Sequence, residues 1–450
     1  MTKFLENINA FIWGIPALVL ILGVGGFLSL RTGFAQLRLF PEAVKRFAGQ
    51  LVGRDREEGS SFRCLCTALA ATVGTGNLAG VAGAICLGGP GAVFWMWICG
   101  FLGMVTKYAE AVLAVRYREN LREESRGGPM YIMIHGLGSK WRPLAKCYCL
   151  FGVLASFGVG NAAQINTVTA GIHSVLSRFG KEPTRSGDLL LGLILALLVS
   201  ASLLGGAKRI GSLAEKLIPV VSAGYLILCT AVLIARFREI PGAVAAIFLG
   251  AFSPRAVTGG MLGSAFQALR VGCSRGVFTN EAGMGTAAIA HGGANVRHPA
   301  EQGMMGIMEV FLDTVVICTL TALVILISGV PIPYGTDAGA ALTEAAFSKV
   351  LGNWTAFFLA AALCCFAFAT VLGWGLYGGR CLEFLLGVPA WKGFAIAQGA
   401  MALLGAVLET GPVWLLAECF NGLMAIPNLF TLAMLSSEVR RLTIDYRKNG

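Results

Sequence analysis

No charged side chain occurs between Cys64 and Thr106, and in that apolar run stands Thr72-Val-Gly-Thr-Gly-Asn-Leu-Ala-Gly80. A helix in lipid has to close its backbone hydrogen bonds internally. Lipid offers no replacement partner, and each unmet group costs several kcal/mol. Gly74 and Gly76 remove Cβ at two positions, and Thr72, Thr75 and Asn77 place polar atoms beside them. Such an interruption is tolerable only where it faces protein or a wet cavity. The freed N–H and C=O groups can then hold a small ion or a zwitterion. Close packing of a glycine against a neighbouring helix is the alternative for one glycine alone. Gly74, Gly76 and Gly80 with Thr75 and Asn77 between them point to a binding site. The spacing G-x-G-x-x-x-G, without a preceding strand, excludes a dinucleotide fingerprint.

The rest of the chain agrees with a membrane setting. It is 56% hydrophobic and 13% charged, with 60 glycines among 450 residues. Soluble domains carry about twice that charge fraction. The N-terminus lacks the basic region of a signal peptide, and the run from Phe11 is long enough to be kept as a spanning helix. Eleven apolar segments follow the bilayer-length rule: 12–31, 63–88, 91–118, 147–178, 188–204, 212–236, 257–290, 303–328, 352–382, 392–409 and 412–436. The expected fold class is an all-α polytopic membrane protein. The net charge of +11 does not indicate nucleic acid. Of the 35 Lys and Arg residues, 24 fall in loops after odd-numbered segments or in the tail. By the positive-inside rule this puts the N-terminus outside and the C-terminus in the cytoplasm of an inner (plasma) membrane.

With the first segment set aside, ten remain in two sets of five, 63–236 and 257–436. The N-terminal 1–62 is then an extra helix with a basic loop, and 437–450 a cytoplasmic tail. Five crossings is an odd number, so the second set runs inverted relative to the first. Each set opens with an interrupted segment: Gly74-Thr-Gly-Asn77 in one, Gly272-Cys-Ser-Arg-Gly-Val-Phe-Thr-Asn280 followed by Gly283-Met-Gly285 in the other. Matched breaks in two inverted halves mark a transporter site.

Other polar residues share helix faces. Phe157, Asn161, Gln164 and Val168 are spaced i, i+4, i+7, i+11, and Phe366, Thr370 and Trp374 i, i+4, i+8. The two amides serve either substrate binding or interhelical hydrogen bonds. The Thr370 hydroxyl either joins a hard-oxygen cation shell or bonds back to its own helix. Trp374 offers a flat wall that limits pocket size. Lys107 and Glu110, at i, i+3, are expected to pair. Arg275 and Glu281 flank the second break, and Asp313 sits in an otherwise apolar helix. Glu281 and Asp313, with Asn161 and Asn280, are candidates for gating or coupling, against a purely structural role. The 13 cysteines lack metal-ligand spacing, and the four histidines (His135, His173, His291 and His298) are scattered. No nucleophile–base set stands out, so an enzyme is not expected, nor is a cofactor.

Gly74-Thr-Gly-Asn-Leu-Ala-Gly-Val-Ala82, Leu87-Gly-Gly-Pro-Gly-Ala-Val-Phe-Trp-Met-Trp97 and Thr106-Lys-Tyr-Ala-Glu110 closely resemble the signature of the alanine or glycine:cation symporter family. Further matches are Gly127-Gly-Pro-Met-Tyr131, Gly205-Gly-Ala-Lys-Arg-Ile-Gly211, Arg275-Gly-Val-Phe-Thr-Asn-Glu-Ala-Gly-Met-Gly285, Glu309-Val-Phe-Leu-Asp-Thr314 and Gly373-Trp374. Thr286-Ala-Ala departs from a more usual Ser-x-Pro. The resemblance implies a leucine-transporter-like 5+5 inverted repeat with one extra N-terminal helix, about eleven spans in all. It also implies sodium-coupled, in some members proton-coupled, uptake of alanine or glycine. Carried onto this chain, Thr75, Gly76 and Gln164 look like substrate contacts, with the second break near Gly272 to Phe278. Sodium would fall on carbonyls near Ala71 and Gly74 plus Thr370. The expected arrangement sets a carboxylate on the N–H groups of Gly76 and Asn77. The ammonium meets carbonyls of Gly272, Cys273 and Gly276, and Phe278 and Trp374 limit side-chain size. Another small neutral solute, or proton coupling, is the alternative.

Overall fold

The structure is a computed structural model that describes residues 3, 9, 11–52, 59–121, 124–252, 265–336, 338–408 and 411–449. Among the described residues the only strands are β1 (Glu119–Leu121) and β2 (Glu124–Arg126), a short antiparallel hairpin. Everything else regular is helical. The chain opens with α1 (Ile15–Thr32), which has Pro16 in its first turn and ends at Gly33, φ 65°. After it come α2 (Phe40–Leu51), α3 (Gly59–Thr72), α4 (Val81–Gly88) and α5 (Gly91–Arg116). The next group is α6 (Arg142–Phe157), α7 (Ala163–Arg178), α8 (Arg185–Leu204), α9 (Gly206–Ala235) and α10 (Ile240–Phe252). The second half holds α11 (Ala265–Asn280), α12 (Thr286–His291), α13 (Pro299–Val310), α14 (Thr319–Ile327) and α15 (Gly339–Leu351). It closes with α16 (Thr355–Leu386), α17 (Ala390–Val407), α18 (Gly411–Met434) and α19 (Ser436–Asn449).

Where residues are described, the expected segments lie largely in helix. Among the described residues seven helices are long and apolar enough to cross a membrane, and nine if each of two bent pairs is one span. The two that fall short of eleven are the first and the seventh. In α1 the apolar helix is the shorter Pro16–Thr32. α11 has 16 residues and carries Arg270 and Arg275. The 257–264 start of the seventh segment lies outside the described residues, as do Arg54, Arg56, Arg122 and Arg255. The outer faces of the bundle are apolar: Leu190, Leu193 and Leu197 on α8 and Ile227 and Ile234 on α9 are all exposed. A contiguous apolar surface of this kind needs lipid or a partner to cover it.

Glycine sets how closely the helices approach. A Cβ on Gly91 would lie 2.1 Å from the backbone of Gly250 on α10, and one on Gly306 would lie 2.8 Å from the Lys107 carbonyl. α5 is thus gripped on two sides by backbone-to-backbone contacts, the packing mode of helices that share an apolar solvent. Widened, π-helical turns occur at Gly76–Gly80, Ile132–Leu137, Gly158–Ala162 and Phe311–Cys318. Three of the four carry a polar residue singled out above: Asn77, Asn161 and Asp313. Such turns free backbone groups and collect at functional sites. At the arginine-rich end, α19 is tied to α5 through Glu438, which meets Arg441 at 2.7 Å and Arg116 at 3.3 Å. The hydrogen bond from Arg441 holds the Glu438 carboxyl below the usual carboxylate range.

Candidate functional site

The first interruption forms where expected. α3 stops at Thr72, the chain bends by 52°, and helix resumes at Gly76. Gly74 N–H, which a continuous helix would spend on the preceding turn, donates to Asn77 Oδ1 at 2.7 Å. Asn77 N–H donates to Gly74 O at 3.2 Å. The side-chain amide of Asn77 then donates to Asp313 Oδ1 at 2.7 Å. Asn77 is therefore a brace, and its main-chain N–H is already in use. Farther along the widened turn, the Leu78 carbonyl is met by Thr343 Oγ1 at 2.9 Å. Gly74 needs to lack a side chain: a Cβ there would stand 2.9 Å from Thr370 Oγ1. That hydroxyl reaches across from α16 to the carbonyl of Ala70 at 3.1 Å, so it bonds to α3 and not back to its own helix.

The second interruption is displaced from the expected place. α11 runs unbroken through Gly272, Cys273 and Gly276 to Asn280, so the carbonyls of those residues belong to a regular helix. Their glycines serve packing: a Cβ on Gly272 would sit 2.2 Å from Ala92 O, and one on Gly276 3.0 Å from Cys99 Cβ, both on α5. The chain actually breaks at Glu281–Gly285, where Glu281, Gly283 and Gly285 have φ of 53°, 94° and 83°. Left-handed backbone is ordinary for glycine and costly for glutamate. The freed N–H groups of Gly283 and Gly285 both donate to Glu110 Oε1, at 3.0 and 3.1 Å. Asn428 donates to the same oxygen at 2.8 Å and to Gly283 O at 2.9 Å. Tyr148 reaches Met284 O at 3.1 Å. Glu110 thus caps this break and is not the partner of Lys107. Lys107 instead meets Glu309 at 2.6 Å, and Glu309 also accepts from His291 Nε2 at 3.0 Å. His291 Nδ1 contacts Gln302 Nε2 at 2.6 Å, and Gln302 Oε1 accepts from Ser61 on α3 at 2.6 Å.

A polar bridge joins the two breaks. From Asn77 it passes to Asp313, whose Oδ2 accepts from Thr314 at 2.8 Å. Thr314 Oγ1 accepts from Asn280 at 3.2 Å, and Asn280 Oδ1 accepts from Ala282 N–H at 3.0 Å. All these groups are buried. Asn161 makes a different cross-link, donating to Gln398 on α17.

Between the breaks lies a cavity of about 20 Å³, lined by Ala71, Gly74, Thr75, Gly76, Gln164, Phe278, Glu281, Thr370 and Trp374. Nine of the sixteen residues singled out from sequence meet there. Asn77, Asn161, Gly272, Cys273, Gly276, Asn280 and Asp313 do not line it. Thr72, named with the first break, also lines it, and Val159 and Asn421 line it without having been expected. Inside, Thr75 Oγ1 donates to Gln164 Oε1 at 3.1 Å, and Gln164 Nε2 donates to the Val159 carbonyl, part of a widened turn, at 3.2 Å. Trp374 Nε1 donates to Glu281 Oε1 at 2.9 Å, and Thr286 Oγ1 to Glu281 Oε2 at 2.8 Å. Behind the indole, a Cβ on Gly160 would lie 2.4 Å from Trp374 Cβ, so the wall is fixed from both sides. Toward the far end of α4 lie a cavity of about 200 Å³ and another of about 310 Å³. Phe278 lines all three. At the opposite end, near the start of α3, a cavity of about 370 Å³ is lined by Arg63, Arg118, Arg126, Lys208 and Arg380.

Among the described residues no cluster of His, Cys, Asp and Glu could hold a metal ion. The site offers helix ends, hydroxyls, an amide and a carboxylate to a small polar guest. A profile described as the Sodium:alanine symporter family matches residues 1–450. The chain belongs to the sodium:alanine symporter family. It is 42% identical to the sodium/alanine symporter AgcS of Methanococcus maripaludis, over 97% of this chain and 95% of that one. It is 36% identical to the probable sodium/glutamine symporter GlnT of Bacillus subtilis, over 100% of this chain and 92% of that one. The fold is that of MhsT, solved in complex with L-phenylalanine: TM-score 0.58 at 13% identity, covering 85% of this chain and 97% of MhsT. Membership in a family of transporters makes this a multi-pass membrane protein, and its relatives place it among amino-acid symporters.

Proposed function

We propose that the protein imports a small neutral amino acid, alanine or glycine, together with Na⁺ across the inner membrane. In this reading the chain crosses eleven times, N-terminus outside and C-terminus in the cytoplasm. Residues 63–236 and 257–436 form two inverted five-helix repeats, with 1–62 an added N-terminal helix and 437–450 a cytoplasmic tail. The observation that carries the proposal is the gathering of both helix interruptions, Gln164, Thr370 and Trp374 around one cavity.

The chemistry follows from the ends of the broken helices. The restart at Gly76 offers the positive end of a helix dipole to the substrate carboxylate. In this reading Na⁺ is held by carbonyls near Ala71 and Gly74 with the Thr370 hydroxyl, which bonds the Ala70 carbonyl, a hard-oxygen set suited to that cation. Sodium there also ties α3 to α16, holding the first break in the shape that receives substrate. Trp374 sets the ceiling on side-chain size. At about 20 Å³ the cavity has room for roughly one water. A swing of the Phe278 ring joins it to the neighbouring cavity of about 200 Å³, which shares Thr75 and Gly76. A proton-coupled version of the same scheme rests on Glu281, the one ionisable side chain lining the cavity among the described residues.

Uptake of labelled alanine into proteoliposomes tests this. The expected result is accumulation that requires an inward Na⁺ gradient, each charge adding about 2.3 kcal/mol per 100 mV of membrane potential. Accumulation indifferent to both Na⁺ and pH gradients would refute it.

A further inference from the structure

We propose that Asn421 is a substrate-binding residue, its Oδ1 accepting a hydrogen bond from the ammonium group of the transported amino acid. The inference rests on the amino-acid symport reading above and assigns one end of its site. Asn421 lies on α18, is 2% exposed, and lines the cavity between the two breaks. Its Oδ1 is buried and has no partner among the described residues. The other buried side-chain oxygens in that condition, on Gln36, Gln50, Glu110, Asn161 and Asn428, do not line this cavity. A buried acceptor left without a donor is costly, so its retention inside a cavity points to a donor that arrives with the guest.

The donors at the second break are already engaged. The N–H groups of Gly283 and Gly285 are held by Glu110, and the Thr286 hydroxyl and the Trp374 indole are held by Glu281. The carbonyls of Gly272 to Gly276 are inside a regular helix and cannot receive the ammonium. Acceptors remain in the cavity: Asn421 Oδ1 and the free lone pairs of Glu281. An ammonium presents donors and no acceptor, which matches that pair in sign. Glu281 supplies charge, while Asn421 supplies direction. With the carboxylate at the Gly76 end, both charged groups of a zwitterion are then met.

The test is alanine counterflow in proteoliposomes with the full-length protein, comparing wild type, Asn421→Leu and Asn421→Asp, with N-methylalanine as a second substrate. Leucine matches the shape of asparagine and removes the acceptor. The expected result for Asn421→Leu is a rise in the alanine KM of about 10- to 100-fold, with the half-saturating Na⁺ concentration unchanged and discrimination against N-methylalanine lost. Asn421→Asp keeps an acceptor and is expected to keep alanine binding. An unchanged alanine KM in Asn421→Leu overturns the assignment. So does a parallel loss of Na⁺ affinity, which marks a structural role. If Asn421→Leu cannot be purified, Asn421→Asp decides: loss of alanine binding in a well-folded Asp variant overturns the inference. Failure of the wild type to take up alanine refutes the transport reading, not this residue's role within it.

Discussion

Glu110 gives the sharpest test of how the second break is held. One of its oxygens receives three buried donors: Gly283 N–H, Gly285 N–H and Asn428 Nδ2. Glu110→Ala leaves all three without an acceptor. At about 1–3 kcal/mol for each unmet buried group, the loss is about 3–9 kcal/mol. A domain's whole stability is about 5–15 kcal/mol, so this variant is expected to be barely stable. Glu110→Gln keeps an oxygen in the same place and loses only the charge. Hydrogen bonds to a charged group are roughly twice as strong as neutral ones, so its cost is about 2–4 kcal/mol. The other oxygen, Oε2, has no partner among the described residues, so the new amide N–H₂ displaces no existing bond. The assay is thermal melting of detergent-purified protein followed by size-exclusion chromatography. The expected order is wild type above Gln, and Gln well above Ala. Coincident melting of Ala and Gln variants would refute the capping role, and so would an Ala variant as stable as wild type.

Three further outcomes are expected. Thr370→Ala weakens apparent Na⁺ affinity more than Gln164→Ala does, as read from the Na⁺ dependence of alanine uptake; the reverse order counts against the cation assignment. Gly160→Ala forces a Cβ to within 2.4 Å of Trp374 Cβ. The strain costs about 1–3 kcal/mol, displaces the indole, and raises the alanine KM more than the Na⁺ requirement; equal shifts in both would argue that Trp374 is not a substrate wall. Glu438, whose folded carboxyl is held below its usual range by Arg441, contributes docking of α19 at neutral pH. That contribution fades as pH falls through the lowered value. Hydrogen exchange in 436–449 should therefore rise on acidification in wild type and show no such step in Glu438→Gln; identical profiles would refute the link.

The first break was legible because its signal is local. Two glycines and two polar residues inside a charge-free run have few other uses, and Gly74 and Asn77 bond to each other within a single turn. The second break was placed about ten residues early for an equally physical reason. Gly272 and Gly276 show the same composition as a break, yet they serve close approach to α5, a contact made across a sequence separation that carries no trace at either end. The chain breaks instead at Glu281–Gly285, where the Gly283-Met-Gly285 motif stood in plain view. Spacing pairs Glu110 with Lys107, but Lys107 finds Glu309, 202 residues away, and Glu110 caps the break. The i, i+3 rule governs exposed helix faces, and buried charges follow the tertiary packing. Face-sharing on α16 did bring Thr370 and Trp374 to the cavity. Asn421 was invisible beforehand because a lone amide in an apolar helix announces a partner without saying which.

The central claim is that one cavity, bounded by both interrupted helices, takes up a small amino acid together with its cation. Equilibrium binding of labelled alanine to purified wild-type and Gly76→Val protein, in NaCl and in choline chloride, tests it most directly. A Cβ at Gly76 meets Thr279 at an ordinary 3.5 Å, and the valine methyls beyond it crowd the cavity that Gly76 lines. The account predicts saturable binding of one alanine per chain in Na⁺, greatly weakened in choline and absent in Gly76→Val. Undiminished binding in a folded Gly76→Val protein would contradict it, as would identical affinity in both salts at every pH.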